Sequence, residues 1–242
     1  MLISVLLQSK AGLVTPDQAR TMTRAVAKQV RLDAAPIWDK APASVVFYSD
    51  PADVPEGAHG IAIVDTIDNV PEGVLGFHTE DDGGKLWGIV AAKPPLDAGA
   101  KVLTGDWSVS SVLSHEVLEM FVDPNCNLWA NNNAGRTYSF EVCDPVEAPT
   151  YDVDGVSVSN FVTPAWFDPL ADRKGTQYDK LGLLKKPFTL LPGGYVVYAS
   201  AGKEHQENGD QMPDWRLAAK SNDMGRTARR KRQIAERVGS PA

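Results

Sequence analysis

The strongest constraint on how this chain can fold is the segment from Ser108 to Val122, which is apolar around most of a helical circumference yet carries His115, Glu116 and Glu119. Val112, Leu113, Val117, Leu118, Met120 and Phe121 leave little of such a helix for solvent, and a helix apolar on most sides is a buried one. Burying a carboxylate or an imidazole is costly unless a partner or a metal ion offsets the lost hydration. A solvated face with an ordinary i,i+4 pair therefore fits this segment poorly. Its ends are marked: Asp106 or Ser108 can cap the start, and Asp123-Pro124 stops it.

Residues four apart share a helix face, so His115 and Glu119 can reach one ion while Glu116 leans toward the same cleft. Zinc accepts imidazole nitrogen and carboxylate oxygen, and a catalytic zinc keeps three protein ligands plus water. A carboxylate beside the first ligand, here Glu116, can act as general base toward that water. The third ligand must come from elsewhere, and the densest candidate is Phe140-Glu141-Val142-Cys143-Asp144-Pro145-Val146-Glu147. Glu141 is the preferred donor. Asp144 is either a ligand or a hydrogen-bonding partner of His115, depending on whether Pro145 ends a strand there. The alternative for Asp144 is an ordinary Asp-Pro turn. Cys143 is a competent ligand as a thiolate, although a lone strand cysteine is more often a small buried apolar residue.

The remaining candidates carry weaker signals. His78 lies in an expected edge hairpin, where a lone histidine is usually on the surface, and His59 and His205 have still less context. Tyr138, Tyr151 and Tyr195 can each donate to a developing oxyanion, against the plainer role of packed aromatics. The aromatic run Asn160 to Phe167 is read as core, or as a docking surface if exposed. Proton chemistry by the acidic cluster without any metal ranks last.

The rest of the chain predicts an α+β fold. Ile3 to Leu7 reads as a strand, without the basic leader and cleavage site of a signal peptide. Thr15-Pro16-Asp17-Gln18 forms a capping box with proline at the first helical position, and Ala19, Met22, Val26 and Val30 give a long helix one apolar face ending near Pro36. Ser44 to Tyr48 and Gly60 to Val64 read as buried strands, and Val74 to Ala92 as a hairpin at a sheet edge. After the helix, Thr137 to Val146 is strand-like, Tyr151 to Trp166 alternates like a hairpin, and the C-terminal part is rich in loops and strands. The expected organisation is a metal-binding domain over residues 1–145, a subdomain over 146–222 that completes the cleft, and a basic tail over 223–242.

With a net charge of −7, general nucleic-acid binding is disfavoured. The only basic stretch is Arg226 to Arg237, read as a solvated arm. No run reaches the roughly 18 apolar residues of a membrane span. Cys126 and Cys143 do not make a disulfide framework, although one bridge is compatible with the sequence. A cytoplasmic or virion-borne protein is the expectation.

The order of strand, helix, strands, edge hairpin and motif-bearing helix over residues 1–145 resembles the zincin metallopeptidases, whose signature is His-Glu-x-x-His. The chain departs from that signature at Glu119, which stands where the second histidine falls. Ser114-His115-Glu116-Val117-Leu118-Glu119-Met120 with Asp123-Pro124, then Glu141-Val142-Cys143-Asp144-Pro145, also resembles a group of bacterial and phage proteins, over about Val109 to Phe167. The resemblances imply a zincin-like mixed sheet and a divalent cation, zinc or a harder ion, held by His115, Glu119 and Glu141 or Asp144. They imply a peptide or protein substrate with Glu116 as base, or else a phage structural partner for a scaffold that no longer catalyses.

Overall fold

A computed structural model of the chain describes residues 1–70, 73–80 and 84–217. The fold is α+β, as expected. Strand β1 (Leu2–Leu7) leads to helix α1 (Pro16–Gln29), where Thr15 and Gln18 form the reciprocal capping box and Pro16 occupies the first turn. The helix runs on through a π-helical turn, Val30–Ala34, into the short α2 (Ala35–Ile37). Strands β2 (Ser44–Tyr48), β3 (His59–Val64), β4 (Gly76–Glu80) and β5 (Leu86–Ala91) complete a five-stranded sheet in the order β2-β1-β3-β5-β4. All neighbours are parallel except β4, which pairs antiparallel with β5 at the edge and sets His78 opposite Gly88. The expected edge hairpin is thus present; its tip at residues 81–83 lies outside the described residues.

Short α3 (Lys93–Asp97) precedes α4 (Val109–Val122), which starts at Ser108, whose side chain accepts from the Ser111 N–H. Its C-terminal carbonyls at Phe121 and Val122 accept from Lys40 Nζ at 3.2 and 2.7 Å. That contact satisfies two of the acceptors a helix end leaves open. Beyond it come β6 (Trp129–Asn131), β7 (Thr137–Ser139), the hairpin β8 (Thr150–Val153) and β9 (Val156–Ser159), then β10 (Tyr195–Ser200), β11 (Lys203–Asn208) and α5 (Asp214–Leu217). Strands β11-β10-β7-β6 form a second, antiparallel sheet, and β8-β9 a third of two strands.

Helices α1 and α4 pack on each other, on the five-stranded sheet and against β9. Strand β9 thus adds to the cover that the sheet gives α4, and all fourteen residues of α4 are buried. A polar lattice ties these layers: Ser114 Oγ donates to Gln29 Oε1 (2.6 Å) and accepts from the Ser159 N–H (3.0 Å), while Gln29 Nε2 donates to the Ser159 carbonyl (2.9 Å). One continuous apolar core runs from Ile3 through Leu113, Leu118 and Val158 to Val196.

One expectation changes. The strand expected over Thr137 to Val146 is short: β7 ends at Ser139, and Asp144–Val146 is a 3-10 turn. Pro145 has no N–H for a ladder, and the Cys143 N–H turns to Glu119 Oε1 at 3.3 Å. The aromatic run is core, the plainer of its two readings: Phe161, Trp166 and Phe167 are buried, with Phe167 stacked on Phe140 at 3.9 Å. Cys126 and Cys143 are unbridged. The basic tail from Arg226 to Arg237 lies outside the described residues. Among those described, no helix is long and apolar enough to cross a membrane.

Candidate metal centre

The helix α4 delivers His115, Glu116 and Glu119 from one stretch of backbone, all buried. The turn after β7 delivers Glu141 and Asp144, also buried. His115 Nε2 stands 3.3 Å from Glu119 Oε1 and 3.1 Å from Asp144 Oδ1. Ligand atoms about 2.1 Å from a tetrahedral ion are about 3.4 Å apart, so each carboxylate stands from His115 at about that spacing, and the three donor atoms lie within 4.8 Å of one another. Asp144 points inward because the strand stops and the 3-10 turn rotates it toward the helix. Glu141 enters a different group: its carboxylate lies with Glu119 and His78, each offering an atom within 4.8 Å of the others. Both groups could hold a metal ion, and both include Glu119.

His78 corrects the sequence reading. It was expected on the surface, yet it is 3% exposed and faces the carboxylates from the edge strand. Its Nδ1 is 3.7 Å from Glu116 Oε2 and 4.0 Å from Glu119 Oε2, and its Nε2 is 3.2 Å from the Asp123 carbonyl. The available signal was the spacing of β4: alternate side chains point inward, and an edge strand laid along α4 directs one of them at the motif.

Two glycines allow this close packing. A Cβ at Gly76 would lie 2.7 Å from Glu116 Oε1 and 2.7 Å from the Ile89 carbonyl. A Cβ at Gly194 would lie 2.4 Å from the Pro145 carbonyl oxygen and 2.9 Å from that of Asp144. Gly194 thus lets the start of β10 press on the Asp144 turn and brings Tyr195 beside Asp144. Of the three tyrosines considered, Tyr195 is the one that lines the cleft. Tyr138 packs at 4.9 Å from Phe188, and Tyr151 donates to Asp33 at 2.9 Å.

The cleft leading to these groups is lined by Gly76, Trp107, His115, Glu116, Tyr195 and Arg216. Arg216 was not singled out from sequence, where it precedes a basic tail without distinguishing context. It is 4% exposed, donates to the Gly73 carbonyl at 2.7 Å, pairs with Glu147, and lies 5.3 Å over the Trp107 ring.

The electrostatics are those of surplus negative charge in a dry space. Burial pushes the Glu119 carboxyl up to about 8, against the pull of His115 and with the push of Glu141 and Asp144. Burial works against protonation of His115, but Glu119, Cys143 and Asp144 outweigh it and hold the imidazole well above its usual range. His78 behaves alike: burial opposes its proton, while Cys126, Glu116 and Glu141 overcome that cost. Burial raises the Cys143 thiol well above its usual value. Tyr195 is raised by burial and by Asp144 and Glu119, so it stays a phenol and a donor. Burial lowers Arg216 to about 10, which leaves it a cation at neutral pH.

The donor set fits a divalent cation. Glu116 Oε2 is buried without a hydrogen-bond partner among the described residues, and such atoms are normally satisfied. Comparison of the chain with protein-family models, with curated proteins and with solved structures finds no match.

Proposed function

We propose that this protein is a metal-dependent hydrolase of peptidase type, with zinc held by His115, Glu119 and Asp144 and with Glu116 as the general base. The observation that carries the reading is the convergence of Glu119 and Asp144 on His115 at 3.3 and 3.1 Å, directly beside Glu116, with His115 and Glu116 lining a cleft. The arrangement of a mixed sheet with an antiparallel edge strand laid along α4 supports the zincin-like reading.

When bound, the ion would polarise a carbonyl and lower the pKa of water toward about 7. Glu116 takes the proton of the attacking water and returns it to the amine as the C–N bond breaks, a transfer its position on the cleft wall allows. Tyr195, kept protonated by its surroundings, donates toward the oxygen on which charge develops. Arg216 holds Glu147 and the Gly73 carbonyl, so its part is to fix the cleft wall around Trp107.

The deciding experiment measures metal content and cleavage of unstructured peptides for the native chain, Glu116→Gln and Glu119→Ala. The expected outcome is metal retained and cleavage lost in the first variant, and both lost in the second. Retention of metal and activity in both variants removes the proposal. A second reading, a phage structural or interaction protein with a purely structural ion, draws support from Glu119 in place of the second histidine. It predicts a closed coordination sphere with no position open to water.

A further inference from the structure

We infer that the centre takes two cations, a second ion held by His78, Glu119 and Glu141 beside the one at His115, Glu119 and Asp144, with the Glu119 carboxylate bridging them. The inference rests on the reading above that the His115 group binds metal.

The first ground is the way Glu119 divides its oxygens. Oε1 faces His115 Nε2 at 3.3 Å, and Oε2 faces His78 Nδ1 at 4.0 Å. A carboxylate has two oxygens and about four lone-pair sites, so one group can serve an ion on either side.

The second ground is the presentation of His78. Its Nε2 lies 3.2 Å from the Asp123 carbonyl and 3.0 Å from Cys126 Sγ; the carbonyl only accepts, so once the ring sheds one proton, as metal binding requires, an Nε2–H donated there leaves the Nδ1 lone pair facing the carboxylates. Metal-bound histidines are held in this way, with the second ring nitrogen donating to a carbonyl or carboxylate. The Asp123 carbonyl is fixed in turn, because the Asp123 side chain accepts from the Asn127 and Leu128 N–H groups at 3.2 and 3.0 Å. Glu116 Oε2 and Glu119 Oε2 stand 3.7 and 4.0 Å from Nδ1, longer than direct hydrogen bonds. Glu116 Oε2 itself is buried with no hydrogen-bond partner among the described residues.

The third ground is charge. Glu116, Glu119, Glu141 and Asp144 are all buried, while the nearby cation Arg216 already faces Glu147. Metal binding requires these carboxyls to be ionised and the imidazoles neutral; in that state one divalent ion carries half the charge of the four carboxylates and two carry all of it. One imidazole with carboxylates suits zinc or manganese, and hydrolases that use paired ions hold them about 3.5–4 Å apart.

The test loads full-length, chelator-stripped protein with zinc alone, or with manganese alone, and counts ions per chain by elemental analysis after desalting. Two ions in the native protein, falling to one in His78→Ala and in Glu141→Gln, are expected. The manganese form should show an exchange-coupled electron paramagnetic resonance signal, a readout that needs neither a variant nor activity. One ion in the native protein, retained in His78→Ala, overturns the second site and leaves the first standing. Two ions in both native protein and His78→Ala, or two uncoupled manganese signals, also overturn it. No ion in the native protein overturns both readings.

Discussion

Gly76 lies so close to Glu116 that a single methyl group added to the glycine would stand 2.7 Å from the Oε1 atom. The edge strand is therefore seated on the carboxyl group assigned as base. Replacement by alanine must move either that side chain or the backbone of β4, since the added carbon also meets the Ile89 carbonyl at 2.7 Å. Gly76→Ala is expected to cost about 1–3 kcal/mol in chemical denaturation. Its loss of peptide cleavage should exceed what the unfolded fraction explains. Unchanged stability and unchanged turnover would show that the strand does not press on Glu116.

Acidity should act in opposite directions on the metal-free and metal-loaded forms. Glu119, His115 and His78 all have folded-state values above their ordinary ones, Glu119 at about 8 against 4.5. A raised group stabilises the fold fully below its unfolded value and loses that contribution as pH climbs through the folded one. For Glu119 the window runs from 4.5 to about 8, and for the imidazoles it opens near 6.5 and extends upward. Cation binding requires the same groups to shed protons. The Tm of chelator-treated protein should thus fall between about pH 5 and pH 8, while the gap between loaded and metal-free Tm widens. A gap that narrows with rising pH contradicts the assignment.

Ser114 sits one residue before His115, yet its work is architectural. Its hydroxyl bridges Gln29 of α1 and the Ser159 N–H of β9 at 2.6 and 3.0 Å. Ser114→Ala leaves those buried groups without that bridge, and such a loss typically costs about 1–3 kcal/mol. Metal stoichiometry of the folded fraction should not change, which separates this residue from its neighbours. Loss of metal with full stability is the opposite of what the contacts require.

Arg216 and Glu147 form a buried pair, with residue exposures of 4% and 8%. Removing one member of such a pair usually costs about 3–5 kcal/mol, because a charge is left in a dry site. Arg216→Met keeps most of the volume beside Trp107 and should lower the unfolding free energy, read by chemical denaturation, by an amount in that range. The double variant Arg216→Met/Glu147→Gln should recover part of the loss, and a double-mutant cycle with no coupling rules the pair out as an energetic unit.

Much of the fold could be read from local chemistry. The Thr15 capping box, the Ser108 start of α4 and its stop at Asp123 were legible because each depends on residues within a few positions of one another. The burial of α4 was legible from its lack of a polar side. What escaped was long-range. His78 looked like a surface residue because the sequence does not state which edge of the sheet runs along α4, and Arg216 gained meaning only from Glu147 and Trp107 far earlier in the chain. The segment at Glu141 to Asp144 was read as strand because its residues favour one; Glu119 and Pro145 divert its backbone instead. With the strand cut short, Asp144 rather than Glu141 stands beside His115, and Glu141 joins His78.

Strand β9 of the hairpin packs against α4, as the sheet strands β4 and β5 do, and it follows the helix in the chain. During ribosomal synthesis, the whole N-terminal sheet and the motif helix emerge before their cover exists. Until Val156 to Ser159 arrive, the nascent chain carries a bare greasy flank. A fragment ended at residue 145 should accordingly aggregate or recruit chaperones.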